Sequence, residues 1–249
     1  MIRIVVSCMD RRLNKYLDEK YNDSNTIFVR NAGCNIESIL GTLRSIISNE
    51  DVKDIILVPH NDCGAMKYVY GVLKENKPTE KEWHASLIRE FEKIPFSSAD
   101  ELDVKNYALQ QESAEKYFSK SVKLISTENA TVEKSVGTGK HILVIAKAGR
   151  SKYGEIADQI NANSKGEEKI ELSECYFIQA NGYDEISPDI TIAVRKLGIT
   201  DIVIYSNGTD EDRQMLEIKK KMKIHYSDQG LNIEIVSNRH RMQHPVKAL

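Results

Sequence analysis

The sequence has no long hydrophobic run and no large excess of charge. No stretch of about 18 apolar residues occurs, so the chain lacks the signal of a transmembrane helix. The apolar run at the N-terminus, Ile4–Val6, is far too short for a signal peptide. The formal net charge is only -2 at pH 7, and this argues against a nucleic-acid or membrane partner.

Cysteine is also scarce. Four cysteines in 249 residues do not make a disulfide framework. They favour a reducing compartment, which we expect to be the cytoplasm. Hydrophobic residues make up 41% of the chain, which is enough for the core of one large or two small domains.

Two apolar strands end in residues that bind metals. The first, Ile2–Ser7, is followed by Cys8, and the second, Asp54–Pro59, is followed by His60 and Cys63. Short runs rich in Ile and Val are typical of buried parallel strands, and ligands bind at the carboxyl ends of such strands. We therefore expect these three side chains to converge on one ion.

The three side chains predict zinc. Two thiolates and one imidazole suit Zn²⁺, and three protein ligands leave its fourth position open, as in catalytic sites. Asp10 and Arg12 lie close to Cys8 in the chain, and an arginine keeps a neighbouring aspartate ionised and oriented. Two roles stay open for Asp10. It either accepts a hydrogen bond from a zinc-bound hydroxide, or binds the zinc itself and closes the site.

Three motifs, in this order and at these separations, resemble those of the β-class carbonic anhydrases. They are Cys8-x-Asp10-x-Arg12, Arg30-Asn31-Ala32-Gly33 and His60-x-x-Cys63-Gly64. Each lies at the end of a predicted strand. A lone H-x-x-C is a weak signal, whereas three ordered motifs are a specific one.

The resemblance implies a function. Members of that family hydrate CO₂ reversibly to bicarbonate, by attack of a zinc-bound hydroxide on CO₂. Carried over residue by residue, it implies one Zn²⁺ per chain with the ligands Cys8, His60 and Cys63. It implies Asp10 and Arg12 as the catalytic pair.

The resemblance also implies that three residues of the matching motifs line the substrate pocket, namely Asn31, Gly33 and Gly64. Gly33 allows a tight turn that exposes backbone N–H groups. The sequence departs from the family at Cys34, where the family usually has another residue type. This thiol is an inert buried hydrophobe, a pocket wall or a competing metal ligand, and we favour the first.

The second half of the chain resembles the first, with four matches in the same order. The segment KIHYSDQGLNIEIV, late in the second half, matches KLISTENATVEKSV, late in the first. The other three matches pair Ile2 with Ile142, Gly33 with Gly182, and Asp54 with Asp201. This order predicts an internal duplication.

We therefore predict an α/β fold in which a β-carbonic-anhydrase-like parallel sheet, flanked by helices, is present twice. The first half, 1–139, binds zinc, and the second half, 140–249, is a degenerate repeat. The boundary is expected at Gly137–Gly139. The counterparts of the three zinc ligands are Ala148, Asn207 and Asp210. We expect no zinc in the second half.

The resemblance suggests why a degenerate copy is kept. In that family the working unit is a dimer, and each active site is lined partly by the partner. The two halves would form such a dimer within one chain, as an intrachain pseudo-dimer. The second half would then supply the far wall of a single site, with Tyr153 and Tyr183 as candidates. Further homo-oligomerisation stays open.

Two alternatives to CO₂ hydration also stay open. Hydrolysis of COS or CS₂ uses the same attack on a linear heterocumulene, so the motifs do not separate these substrates. A diverged member would instead bind zinc or bicarbonate without catalysis, as a sensor or a subunit of an assembly. The complete ligand set and the Asp10–Arg12 pair favour the enzyme acting on a small molecule.

Overall fold

The fold is described from a computed structural model. It covers residues 1–21, 23–75, 87–133, 141–163, 169–207 and 209–237, and for 209–212 only the backbone is described. The predicted boundary at Gly137–Gly139 lies outside these residues. Within them, no helix is both long and apolar enough to cross a bilayer.

The strands form one continuous sheet. In chain order they are β1 (Ile2–Cys8), β2 (Thr26–Asn31), β3 (Val52–Val58), β4 (Leu124–Thr127), β5 (Ile142–Ala146), β6 (Cys175–Gln179), β7 (Asp201–Ser206) and β8 (Asn232–Ser237). Their order across the sheet is β4-β3-β1-β2-β6-β5-β7-β8. The central strands β1, β2 and β5 are rich in Ile and Val and buried along nearly their whole length, as expected for strands covered on both faces.

Helices connect and flank these strands. They are α1 (Asn14–Lys20), α2 (Leu40–Asn49), α3 (Gly64–Lys74), α4 (Ala99–Phe118), α5 (Tyr153–Asn163), α6 (Tyr183–Thr191) and α7 (Thr209–His225). The segment Ile192–Lys196 continues α6 as a wider, π-type turn. The predicted α/β class, with a helix-flanked sheet, is confirmed.

The sheet is mostly but not wholly parallel. All neighbouring strands run parallel except β2 and β6, which meet in an antiparallel pair with Arg30 opposite Gln179. Each side of this junction has the same order of strands, β2-β1-β3-β4 and β6-β5-β7-β8. The predicted parallel sheet is therefore found within each half, and the two halves meet in an antiparallel junction.

Two sequence assignments need correction. β3 begins at Val52 rather than Asp54, because Val52 already pairs with Ile2 at the start of β1. The fourth repeat match is out of register, because it pairs Leu124 with Ile224. Ile224 belongs to α7, and the strand equivalent to β4 begins only at Asn232.

Carboxylates tie the two halves together in a reciprocal way. Asp18 of α1 accepts hydrogen bonds from the backbone N–H groups of Tyr153 and Gly154, at 2.9 and 2.8 Å, where α5 begins. Glu185 of α6 accepts from the backbone N–H and the hydroxyl of Thr42 in α2. Each half thus satisfies backbone donors of a helix in the other, as a helix cap does.

Candidate metal centre

Two neighbouring strands bring the predicted ligands together. Cys8 is the last residue of β1, and His60 follows β3, its parallel neighbour. Cys63 comes at the turn that opens α3. All three side chains are buried, and their ligand atoms lie within 4.8 Å of one another.

The geometry of this group fits a tetrahedral zinc. The two Sγ atoms of Cys8 and Cys63 are 3.8 Å apart, which is about the separation that a tetrahedral ion imposes with Zn–S bonds of ~2.3 Å. The Nδ1 atom of His60 lies 2.8 Å from the carbonyl oxygen of Asn61, so this nitrogen donates its proton there. Nε2 is then the atom available to a metal ion, and it is buried without a hydrogen-bond partner.

The electrostatics of the group also suit a cation. A hydrogen bond from Cys63 lowers the pKa of the Cys8 thiol well below its ordinary value, and the nearby His60 acts in the same direction against burial. Burial alone would lower the pKa of His60, but the charge of Cys8 raises it. A buried thiolate beside an imidazole supplies the negative charge that a zinc ion neutralises.

Asp10 and Arg12 form the pair that the sequence predicts. The Arg12 guanidinium donates to both carboxylate oxygens of Asp10, at 2.9 Å from Nε and 2.6 Å from Nη2. It also donates to the side chain and the carbonyl of Asp62. Burial opposes ionisation of Asp10, but the hydrogen bonds from Arg12 keep its pKa below the ordinary value. The carboxylate therefore stays charged and fixed.

Asp10 lies beside the ligand group rather than within it. Its Oδ2 atom is 3.9 Å from His60 Nε2. Both of its oxygens are already engaged by Arg12 in a bidentate arrangement, the strong geometry for this kind of ion pair. Of the two roles left open by the sequence, this geometry favours a hydrogen-bond acceptor over a fourth ligand.

A buried arginine holds the backbone of the loop from Cys8 to Asp10, beside the candidate ligands. Arg30 of β2 donates from Nε to the carbonyl of Cys8 at 2.9 Å and from Nη2 to the carbonyl of Asp10 at 2.7 Å. Its guanidinium stacks over the ring of Tyr153, 4.7 Å from the centroid. Tyr153 belongs to the second half, so both halves fix the loop.

A cavity of about 460 Å³ opens over the site. The first half lines it with Cys8, Asp10, Arg12 and Gly64, among others, and the second half with Tyr176, Ile192 and Leu197. The sequence gives no signal for these last three residues, because they read as ordinary apolar residues of a strand and a helix. They reach the site only through the packing of one half on the other.

The other expected pocket residues lie elsewhere. Asn31 and Gly33 are not among the described residues that line the cavity. The side chain of Asn31 donates to the carbonyl of Asn35 at 2.6 Å, and Gly33 directs its N–H at Cys8 Sγ, 3.4 Å away. Both residues are buried. Gly64 alone of the three lines the cavity.

The expected wall residues in the second half are corrected as well. Tyr153 is fully buried beneath Arg30, and the hydroxyl of Tyr183 lies 2.9 Å from Nδ1 of His225. Neither tyrosine is among the described residues that line the cavity. A pattern of aromatic residues does not reveal which face of an element meets the other half.

Cys34 has the environment expected of an inert thiol. It is fully buried, and its Sγ atom donates to the carbonyl of Val6 at 3.3 Å. Burial raises the pKa of this thiol above its ordinary value. It also lies outside the group of ligand atoms.

A sequence model of the carbonic anhydrase family matches residues 3–155, more than half of the 249-residue chain. The chain belongs to the β-class carbonic anhydrase family. The match includes all three predicted motifs and extends beyond the predicted boundary, through β5. It covers only the start of the predicted second domain.

A carbonic anhydrase is also found among solved structures. It is a carbonic anhydrase from Glaciozyma antarctica, with 22% sequence identity and a TM-score of 0.31, and the alignment covers 53% of this chain and 77% of that one. A TM-score this low supports no argument. No curated protein matches the sequence.

Removing a ligand tests the metal centre. We expect His60→Ala and Cys63→Ser each to lower zinc affinity by more than about 100-fold, beyond the 10–100-fold typical of residues that only support a ligand. Chelator competition on the purified full chain measures this affinity. The matched control is Asn207→Ala, at the position that the predicted repeat pairs with His60, and it should leave the zinc affinity unchanged. An equal loss of zinc affinity in Asn207→Ala would contradict the assignment of His60 and Cys63 as ligands.

Proposed function

We propose that the chain catalyses the reversible hydration of CO₂ to bicarbonate at one zinc ion held by Cys8, His60 and Cys63. The observation that carries the proposal is the buried group of three ligand atoms within 4.8 Å, beneath a cavity, in a member of the β-class carbonic anhydrase family. Zinc, when bound, lowers the pKa of a coordinated water and supplies a nucleophile near neutral pH.

In this proposal Asp10 orients the attacking group. Its carboxylate is ionised and fixed by Arg12, and one oxygen faces the region next to His60 Nε2. A fixed acceptor selects the orientation of an O–H group and so aligns the remaining lone pair with CO₂. Arg12 is itself held by Asp62, which restricts the motion of the pair.

The cavity suits an apolar substrate. Ala65, Ile192 and Leu197 give it an apolar wall, as a small uncharged molecule requires. Arg12 and Lys67 line the same cavity beside Asp10 and Asp62. Arg12 is paired with both carboxylates and Lys67 with Asp62, so these four formal charges cancel.

Replacing Asp10 tests the proposed chemistry. We expect Asp10→Asn to lower kcat for CO₂ hydration by about 100-fold or more, because an amide does not supply the same charged acceptor. Zinc content should stay at one per chain. Stopped-flow measurements on the zinc-loaded full chain give the rate, and Glu19→Gln, an exposed carboxylate of α1, is the control.

Two results would contradict the proposal. The first is a zinc-loaded wild-type chain that hydrolyses COS or CS₂ but does not hydrate CO₂. The second is a loss of zinc from Asp10→Asn, which would make Asp10 a ligand and the site closed.

We further propose that the halves 1–139 and 140–249 arose by duplication and form an intrachain pseudo-dimer with one working site. Three observations support this. The two halves have the same strand order, their carboxylates make reciprocal contacts, and the second half lines the cavity. The degenerate half then persists because it completes the site of the other.

Filling the cavity from the second half tests this second proposal. Leu197 is partly exposed, so Leu197→Trp should fold and narrow the cavity. We expect kcat/KM for CO₂ to fall by about tenfold, equivalent to about 1.4 kcal/mol of transition-state stabilisation, with zinc affinity unchanged. Leu216→Trp, at an exposed leucine of α7 outside the cavity lining, is the control. Equal values of kcat/KM in Leu197→Trp and Leu216→Trp would contradict a role of the second half in the cavity wall.

A further inference from the structure

The turn after β2 holds an unfavourable backbone conformation. Gly33 has φ of +72° and Cys34 has φ of +60°, so two successive residues lie in the left-handed region. Glycine tolerates this conformation, but cysteine does so only where its surroundings hold it. Space is also limited, because a Cβ atom on Gly33 would lie 3.0 Å from the Met66 Cε atom and 3.4 Å from the Ala65 Cβ atom.

This turn contacts the metal-binding group directly. The backbone N–H of Gly33 donates to Sγ of Cys8 at 3.4 Å. A backbone donor aimed at a thiolate stabilises its charge and fixes the direction of its lone pairs, as supporting residues do for metal ligands in general. The conformation of the turn therefore determines the direction of the hydrogen bond that the Cys8 Sγ atom accepts.

Each half of the chain holds one side of the turn. From the first half, Asn106 of α4 donates to the carbonyl of Gly33 at 2.8 Å. From the second half, Asp189 of α6 accepts the backbone N–H of Ala32 through Oδ1, at 2.9 Å. Ala32 itself lines the cavity.

Asp189 is an unusual residue to bury for structure alone. Its side chain is 3% exposed, and its second oxygen, Oδ2, is buried without a hydrogen-bond partner. Burial raises the pKa of this carboxyl to about 8. A buried polar group with an unsatisfied atom costs stability, so its retention calls for a role.

We propose that Asp189 is a positioning residue for the zinc ligand Cys8, acting through the Ala32–Gly33 turn. It fixes the N–H of Ala32, and the next N–H, of Gly33, is thereby directed at the sulfur. The second half would then shape the metal centre without supplying a ligand. The inference rests on the proposed zinc site but not on the reaction that the site catalyses.

Two substitutions separate this role from simple packing. Asp189→Ala removes the acceptor for the Ala32 N–H, whereas Asp189→Asn keeps an oxygen acceptor in nearly the same shape. We expect Asp189→Ala to lower zinc affinity by about 10–100-fold, and Asp189→Asn to restore most of it. Asp184→Ala, an exposed carboxylate on the same helix, is the matched control and should have no effect.

Two measurements other than activity report on the contact between Asp189 and the Ala32–Gly33 turn. In the metal-free chain, hydrogen exchange at the amides of Ala32 and Gly33 should accelerate in Asp189→Ala and return towards wild-type rates in Asp189→Asn. In the cobalt-substituted chain, the sulfur-to-cobalt charge-transfer band should shift in Asp189→Ala alone. Neither readout measures turnover, so failure of the proposed CO₂ hydration would not mimic failure of this inference.

Clear results would overturn the proposal. One is that Asp189→Ala leaves both the hydrogen-exchange rate of the Gly33 amide and the position of the cobalt charge-transfer band unchanged. Another is an equal loss of zinc affinity in Asp189→Ala and Asp189→Asn, which would indicate packing alone. Should Asp189→Ala fail to fold, the wild-type chain loaded with ¹¹³Cd decides instead. We expect scalar coupling between the Gly33 amide proton and the cadmium through Cys8 Sγ, and its absence would overturn the proposal.

Discussion

The buried guanidinium of Arg30 is the constraint on which the rest of the site depends. A buried charge has to be met by hydrogen bonds, since removing one partner leaves it uncompensated. Here the acceptors are the carbonyls of Cys8 and Asp10 and the side chain of Asn14. Satisfying Arg30 thus fixes the backbone of Cys8, a proposed metal ligand, and of Asp10, the proposed hydrogen-bond acceptor.

The same constraint joins the two halves. Asn14, which accepts from Arg30, donates in turn to the carbonyls of Leu172 and Cys175, each at 2.8 Å. The rings of Tyr153 and Phe177 cover the guanidinium, at 4.7 and 5.8 Å from its carbon. The hydrogen-bond network that begins at Arg30 in the first half therefore extends to backbone carbonyls of the second half. Separating the halves would expose a charge and several acceptors at once.

The same contacts bear on the proposal that the second half is a degenerate copy of the first. Opposite Arg30, across the antiparallel junction, lies Gln179, which the proposed repeat pairs with Arg30. A glutamine has neither the charge nor the forked donors needed to hold a second metal-binding loop. In our proposal the second half instead supplies residues to the site of the first, in the cavity wall and at Asp189. We interpret the chain as one site built from two copies.

Much of the site was predictable from the sequence, because its parts are local. Strand ends fix the direction of Cys8, His60 and Cys63, and the i, i+2 spacing brings Arg12 onto Asp10. The identity of the residues that the second half contributes was not predictable. Tyr176 and Asp189 reach the site through the packing of α6 and β6 on the first half, and nothing in their neighbouring sequence encodes that packing. The same limit explains the misplaced Tyr153.

The most direct test of this account is a crystal structure of the zinc-loaded chain, with anomalous scattering recorded at the zinc edge. We expect one zinc peak per chain, bound by Cys8, His60 and Cys63, with solvent as the fourth ligand and Asp10 still paired with Arg12. Coordination of zinc by Asp10, or a second peak among residues of the second half, would contradict the central claim of a single open site.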